Sequence, residues 1–265
     1  MMAEVSLETL ITCATNKRDL HDVPIEIREP QTKLTAQERE VVRGNPKLAS
    51  AIFGIDFIPV SYGEYYYWDN TTLSLWEYLG HILLDFSPTA RVVELGCGPY
   101  ATLSIAVKKH YPKLQVAASD IVKDRVNSAT KMAELNQVEV PVKQRDLLLN
   151  IDENVDLIFM NPPYVSTNDQ KEISASKTTK SQEWQSGHGG VDGTDIVGKL
   201  LHDFSQTKWM NGTTLLLGIN NYFISDKTIL SLVEVSSLSV VGLFKPKELC
   251  TPTGPYPQVY QIKHP

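Results

Sequence analysis

The sequence predicts an α/β fold: a seven-stranded, mostly parallel sheet with helices on both faces and an antiparallel C-terminal strand, plus a small N-terminal helical segment and hairpin. Three observations carry that expectation. From residue 91 onward, short apolar runs alternate with helix-length segments, as a parallel sheet covered on both faces requires. The first of those runs enters a Gly-x-Gly turn and then a helix. The last two flank the turn-rich Pro252-Thr253-Gly254-Pro255 and read as antiparallel.

Residues 1–50 read as helical and polar. Thr35-Ala36-Gln37-Glu38 has capping-box spacing, which places a helix start there, and Gly44 is a stop. Between 51 and 68 the residues become β-branched and aromatic, broken by Gly54, Pro59 and Gly63, which predicts a hairpin. Leu73, Leu75, Trp76, Leu79, Ile82 and Leu83 share the face of one amphipathic helix ending near Phe86. Strands follow over 91–95, 114–119, 140–144, 155–160, 213–219, 238–244 and 258–262. Helices are expected over 101–110, 123–136, 194–204 and 227–233. A polar stretch over 161–190 interrupts the alternation, and a loop of that length is usually functional. The expected division is an N-terminal segment and linker over 1–70 and a main domain over 71–265.

Composition narrows the function classes. Hydrophobic residues make up 42% and charged residues 21% of 265, the balance of an ordinary globular chain. The 25 basic and 31 acidic residues give a formal charge of −6. That sign argues against a chain working mainly through phosphate contacts, since such affinity comes from Lys and Arg displacing counterions. Cys13, Cys97 and Cys250 form no ligand pair, so neither a disulfide framework nor a metal site is expected. Glu4 and Glu8 break the start where a signal peptide would be apolar, and no run of about 18 apolar residues could span a membrane. A cytoplasmic chain is the expectation.

The cofactor turn is Glu94-Leu95-Gly96-Cys97-Gly98. At the carboxyl end of a parallel strand, glycines let the backbone approach a ligand or adopt positive φ. Glu94 stands where it can meet a cationic group such as a methionyl ammonium. Asp120 follows the second strand, where a carboxylate accepts ribose hydroxyls, and Asp146 follows the third, within reach of an adenine amino group. A tight turn and strand-end caps in any doubly wound protein would look alike, but acids after successive strands make a set. A nicotinamide dehydrogenase would need Gly-x-Gly-x-x-Gly, and Ala101 fills the third position, where alanine is sometimes allowed. Walker-type and Gly-x-Ser-x-Gly patterns are absent from the sequence. Cys97 has no neighbouring His in sequence to activate it.

Asn161-Pro162-Pro163-Tyr164 is the most specific stretch. An apolar strand ends in Asn, and two prolines then fix φ and remove two amide donors. The Asn161 Oδ1 and the Pro162 carbonyl can accept both hydrogens of a substrate –NH₂, and Tyr164 offers an aromatic face. That set suits methyl transfer to an amide or exocyclic amine, where positioning and electrostatics carry the catalysis.

On these residues the chain is similar to class I S-adenosylmethionine-dependent methyltransferases, which have a Rossmann-like fold. Within them it resembles the HemK/PrmC family, which methylates the glutamine side chain of peptide-chain release factors. Glu94–Gly98 resembles that family's cofactor turn, Asp120 its ribose acid and Asn161–Tyr164 its substrate tetrapeptide. Trp184, Gly189-Gly190 and Asp192-Gly193 resemble a Trp/Gly-Gly-x-x-Gly element beyond it. The resemblance implies S-adenosyl-L-methionine as cofactor, held by Glu94, Gly96, Gly98, Asp120, Asp146 and Asn161. It also implies a catalytic set of Asn161, Pro162 and Tyr164, with a release factor as protein substrate. A small molecule or adenine in nucleic acid is the alternative acceptor, the latter less favoured by charge. A non-catalytic cofactor-binding subunit and a requirement for a small partner subunit also stay open. The chain departs from bacterial members at Tyr67-Trp68-Asp69-Asn70-Thr71-Thr72, where they carry Pro-Arg-Pro-x-Thr-Glu. It departs again at Pro99-Tyr100, where the turn's third glycine is replaced.

Overall fold

The computed structural model describes residues 6–28, 34, 36–58, 66–151, 154–169, 189–207, 210, 212–246 and 257–265. Thr35, Tyr65, Trp184, His188, Cys250 and most of the 161–190 loop lie outside them. Before the sheet the chain forms α1 (Leu7–Thr15), α2 (Ala36–Arg43) and α3 (Pro46–Phe53), with further helical residues at 25–28. Then α4 (Asn70–Ile82) leads through a single 3-10 turn (Leu83–Asp85) to the sheet. Strands β1 (Arg91–Leu95), β2 (Gln115–Asp120), β3 (Val142–Gln144) and β4 (Leu157–Met160) follow, with α5 (Thr102–His110) and α6 (Lys123–Leu135) between the first three. The chain continues as α7 (Asp195–Gln206), β5 (Thr214–Asn220), α8 (Asp226–Val235), β6 (Ser239–Phe244) and β7 (Pro257–Lys263).

The seven strands lie in the order β3-β2-β1-β4-β5-β7-β6. The first five are parallel, and β7 runs antiparallel between β5 and β6. The fold class read from the sequence is the one observed. The strand order reverses between β1 and β4, and such a switch point opens a crevice at the carboxyl edge of the sheet. Leu95 is the register partner of Met160 across that point. The Gly-x-Gly turn and the Asn-Pro-Pro-Tyr stretch therefore leave adjacent strands side by side.

The hairpin expected over 51–68 is corrected at its start, and its middle, residues 59–65, lies outside the described residues. Its first residues belong to α3, and no strand forms among the described residues of that stretch. Asn45 caps α3 by accepting from Leu48 N–H, Pro46 takes the first turn, and Gly54 closes it at φ +68. A Cβ on Gly54 would stand 2.5 Å from the His110 ring. The aromatic residues that suggested a strand are instead buried packing: Phe57 and Tyr67 stand 4.6 Å apart, and Tyr67 and Tyr100 stand 4.8 Å apart. The fourth helix begins at Asn70, earlier than its apolar face suggested, because Asp69 caps it.

Two cores sandwich the sheet. One joins α1, α3, α4, α5 and α6 to one face through residues such as Phe53, Trp76, Val92 and Phe159. The other joins α7 and α8 to the opposite face through Val197, Phe204, Ile158 and Leu217. α4 crosses close over β5, where a Cβ on Gly218 would lie 2.8 Å from Thr71 and Leu75 side chains. That close crossing sets the first turn of α4 beside the tetrapeptide.

Candidate active site

The cofactor turn begins where β1 ends. Gly96 and Gly98 have φ +63 and +64, and Ala101 just before α5 has φ +43. Positive φ suits glycine and strains alanine, so the third position of the turn is left-handed without the residue that favours it. A Cβ on Gly98 would meet nothing within 4 Å, so open space adjoins the turn there. Asp120 is 3% exposed and reaches across from β2. Its Oδ2 accepts the Gly98 N–H at 3.0 Å and its Oδ1 the Val122 N–H at 2.9 Å. A carboxylate has about four acceptor sites, so hydroxyl donors can still be received.

Glu94 is turned into the fold. Its Oε2 accepts from the Ser104 N–H at 3.0 Å and the Ser104 hydroxyl at 2.5 Å. Burial pushes its carboxyl up to about 7, against the pull of those two hydrogen bonds. Cys97 is buried, and burial holds its thiol well above the ordinary range, which disfavours the thiolate. Asp146 lies further out, paired with Lys199 of α7 at 3.0 Å, both side chains 45% exposed. With Ile121, Gln144 and Leu149 it lines an open cleft of about 550 Å³ beyond the ends of β2 and β3. Open space at Gly98, a buried acid and a cleft beyond the strand ends form a set that fits S-adenosylmethionine.

The tetrapeptide is held by α4. Asn161 is half-buried, and its Nδ2 donates to Asp69 Oδ1 and Oδ2 at 3.2 and 3.3 Å and to Thr72 Oγ1 at 3.4 Å. Pro162 is buried behind it. Tyr164 is 6% exposed, its hydroxyl 2.8 Å from Thr71 Oγ1 and its ring 5.7 Å from Phe223. Burial raises its phenol far above the ordinary range, so the hydroxyl is protonated and serves as an anchor. The exposed aromatic face expected at Tyr164 is thus not presented to solvent. Tyr222, 67% exposed and 5.0 Å edge-on to Phe223, presents one at the end of β5.

The Gly-Gly and Asp-Gly pairs close around the tetrapeptide. Gly189 N–H donates to Val165 O at 2.9 Å, and Thr167 N–H donates to Gly190 O at 3.0 Å. Gly193 has φ +87, and a Cβ there would lie 2.3 Å from Tyr164 O. Asp69, Thr71 and Thr72 stand out in the sequence only as part of the departing stretch 67–72, with no role given to them, and Ser104 is not singled out. Asp69 and Thr72 have the spacing of a helix cap, and that signal marks a helix start but not its neighbour in space.

Comparison with known proteins adds to this geometry. Residues 69–186 match the methyltransferase small domain. The release factor glutamine methyltransferase of Rhodopirellula baltica is 34% identical over 129 residues, 46% of this chain and 42% of that protein. The ribosomal RNA small subunit methyltransferase C of Hahella chejuensis is 38% identical over 91 residues, 34% of this chain and 24% of that protein. The chain thus spans less than half the length of these curated relatives. Among solved structures, the catalytic domain of hMettl16, in complex with a MAT2A 3'UTR hairpin, superposes with a TM-score of 0.61 at 13% identity, over 83% of this chain and 80% of that one. A methyltransferase from Pyrococcus furiosus gives 0.53 at 17% identity, over 88% and 100%. These two show the fold alone.

Sheet order and the sequence matches, each over part of the chain, support a class I S-adenosylmethionine-dependent methyltransferase. Relatives matched over part of their length include release factor glutamine methyltransferases and ribosomal RNA methyltransferases.

Proposed function

We propose that this chain methylates the side-chain amide nitrogen of a glutamine in a protein, with a peptide-chain release factor as the first candidate. The observation that carries the reading is the register of Leu95 with Met160. That register sets the Asn161–Tyr164 stretch beside the Gly96–Gly98 turn, one strand spacing away, which supports the reading. The curated release factor glutamine methyltransferases among the relatives support the glutamine acceptor.

S-adenosylmethionine supplies, when bound, a methyl group on a sulfonium centre. Gly96, Gly98, Asp120 and the Asp146 cleft would hold it, and Glu94 would face its cationic end. The rest is work for the chain's own side chains. Asn161 Oδ1 and the Pro162 carbonyl accept the two N–H groups of the acceptor amide and point its remaining lobe toward the methyl. Those oxygens gain strength as the nitrogen becomes positive, which is stabilisation specific to the transition state. Methyl transfer would leave the acceptor nitrogen positive, held by Asn161 and Pro162, and it would then lose one proton to solvent.

A second reading keeps the chemistry and changes the acceptor to a nucleobase amine. It is favoured by the exposed Tyr222, on which a base can stack, and by the ribosomal RNA methyltransferase relatives. Labelled cofactor with a release factor in one arm and oligonucleotides in the other separates the two. Label in the protein arm is expected, and label only in the oligonucleotides would establish the second reading. Asn161→Ala is expected to abolish transfer while leaving calorimetric binding of S-adenosylmethionine intact. Retained turnover would refute the role given to Asn161, and no binding at millimolar cofactor would overturn both readings.

A further inference from the structure

The segment that departs most from bacterial HemK/PrmC-type chains, Tyr67–Thr72, carries a residue with no assigned task in the reaction. We infer that Asp69 is the positioning residue of the acceptor site: its carboxylate selects the orientation of the Asn161 amide and polarises it. The inference rests on the proposed reading of Asn161.

An Asn amide has two ends of similar shape and opposite hydrogen-bonding character, so its orientation is set by its neighbours. In this site Asn161 Nδ2 faces both oxygens of Asp69, at 3.2 and 3.3 Å. An ionised carboxylate only accepts, so the flipped amide would oppose acceptor to acceptor. The orientation with –NH₂ toward Asp69 therefore prevails, and Oδ1 is left as the acceptor for a substrate N–H. The charge-assisted bond also draws electron density toward Oδ1, which strengthens the bond that Oδ1 accepts.

Asp69 is itself fixed. Its Oδ1 accepts the Thr72 N–H at 2.7 Å and the Thr72 hydroxyl at 2.8 Å, as the cap of α4. The same helical turn carries Thr71, whose hydroxyl lies 2.8 Å from Tyr164 Oη. Both ends of the tetrapeptide are thus keyed to one turn of α4, and that helix is seated on β5 through Gly218. A rigid element holds the reacting constellation, which is what a site dependent on positioning needs.

Capping and positioning are separable. Asp69→Ser keeps an oxygen for the Thr72 N–H but is too short to span to Asn161. Asp69→Asn keeps size and cap but brings a donor that can turn the Asn161 amide over. Both are expected to bind S-adenosylmethionine within about twofold of wild type, with kcat lowered roughly tenfold or more and KM for the acceptor little changed, because the lost interaction belongs to the transition state. In an Asn161→Ser background, which has no amide to orient, Asp69→Ser should cost less than about twofold further, since residues acting as a unit are non-additive. Side-chain amide exchange followed by NMR in asparagine-labelled protein supplies a readout free of any substrate. The Asn161 Nδ2 protons should exchange slowly in wild type and about tenfold faster in Asp69→Ser. Unchanged exchange together with unchanged kcat would overturn the inference, as would an Asp69 effect that persists undiminished in the Asn161→Ser background. If neither release factor nor oligonucleotide accepts a methyl group, the functional reading fails, and the exchange rates alone still decide whether Asp69 orients Asn161.

Discussion

Glu94 ends β1 as a carboxyl enclosed by protein, joined to Ser104 of α5 and lying near Asp120. Burial lifts its pKa from 4.5 to about 7, so the folded chain binds this proton more tightly than the unfolded chain does. Its contribution to stability is therefore fully present below about pH 4.5 and is lost as pH rises through 7. Glu94→Gln removes that titration. Its stability relative to wild type is expected to improve by up to about 3 kcal/mol between pH 4.5 and 8. Urea unfolding of both proteins at several pH values measures the difference; parallel pH curves would contradict the burial account. The sequence singled out Glu94 at the strand end. That its Oε2 faces α5 depends on how that helix folds back over β1, which no local pattern encodes.

At the scale of elements, the glycines show how one residue type answers different constraints. Gly193 combines φ +87 with a would-be Cβ only 2.3 Å from the Tyr164 carbonyl, which the tetrapeptide backbone cannot vacate. Gly98 has φ +64 and open space. Gly193→Ala is expected to cost about 2–4 kcal/mol, from strain plus overlap, and Gly98→Ala about 1 kcal/mol, from strain alone. Thermal melts of the two variants test the ranking, and equal losses would refute it. The Gly-Gly and Asp-Gly pairs were visible in the sequence as a pattern, but their reason is the close passage of 189–193 against Tyr164. Element boundaries in the sheet were legible within one or two residues because apolar strands and amphipathic helices alternate there. The start of the stretch 51–68 misled because aromatic residues serve a core equally well from helix or loop, and Gly54 is a helix cap, not a turn between strands.

Across the whole molecule, the N-terminal helices share one core with the sheet. Leu10, Leu48, Ile52 and Phe53 are buried in the cluster that holds Trp76 and Val92. Hydrogen bonds tie the segment down: Asp56 N–H donates to Asn136 Oδ1 at 2.8 Å, and Trp76 Nε1–H donates to Leu20 O at 3.1 Å. Removing residues 1–65 would expose the apolar face that these side chains cover. A chain truncated to start at residue 66 is therefore expected to aggregate, or to melt well below the full chain. Scanning calorimetry reads the outcome, and an unchanged transition would show that the segment is an appendage. Among the described residues no helix is long and apolar enough to cross a membrane.

Local chemistry was enough to announce the parallel sheet, the glycine turn, the strand-end acids and the Asn-Pro-Pro-Tyr site, because each is written in contiguous residues with a short-range physical cause. Contacts between distant segments lay beyond it. Asp69 stands 92 positions from Asn161, and Thr71 stands 93 from Tyr164. Their meeting depends on α4 crossing β5 at Gly218 and on β4 lying beside β1. Folding alone converts an ordinary helix cap into the group that aims the acceptor site.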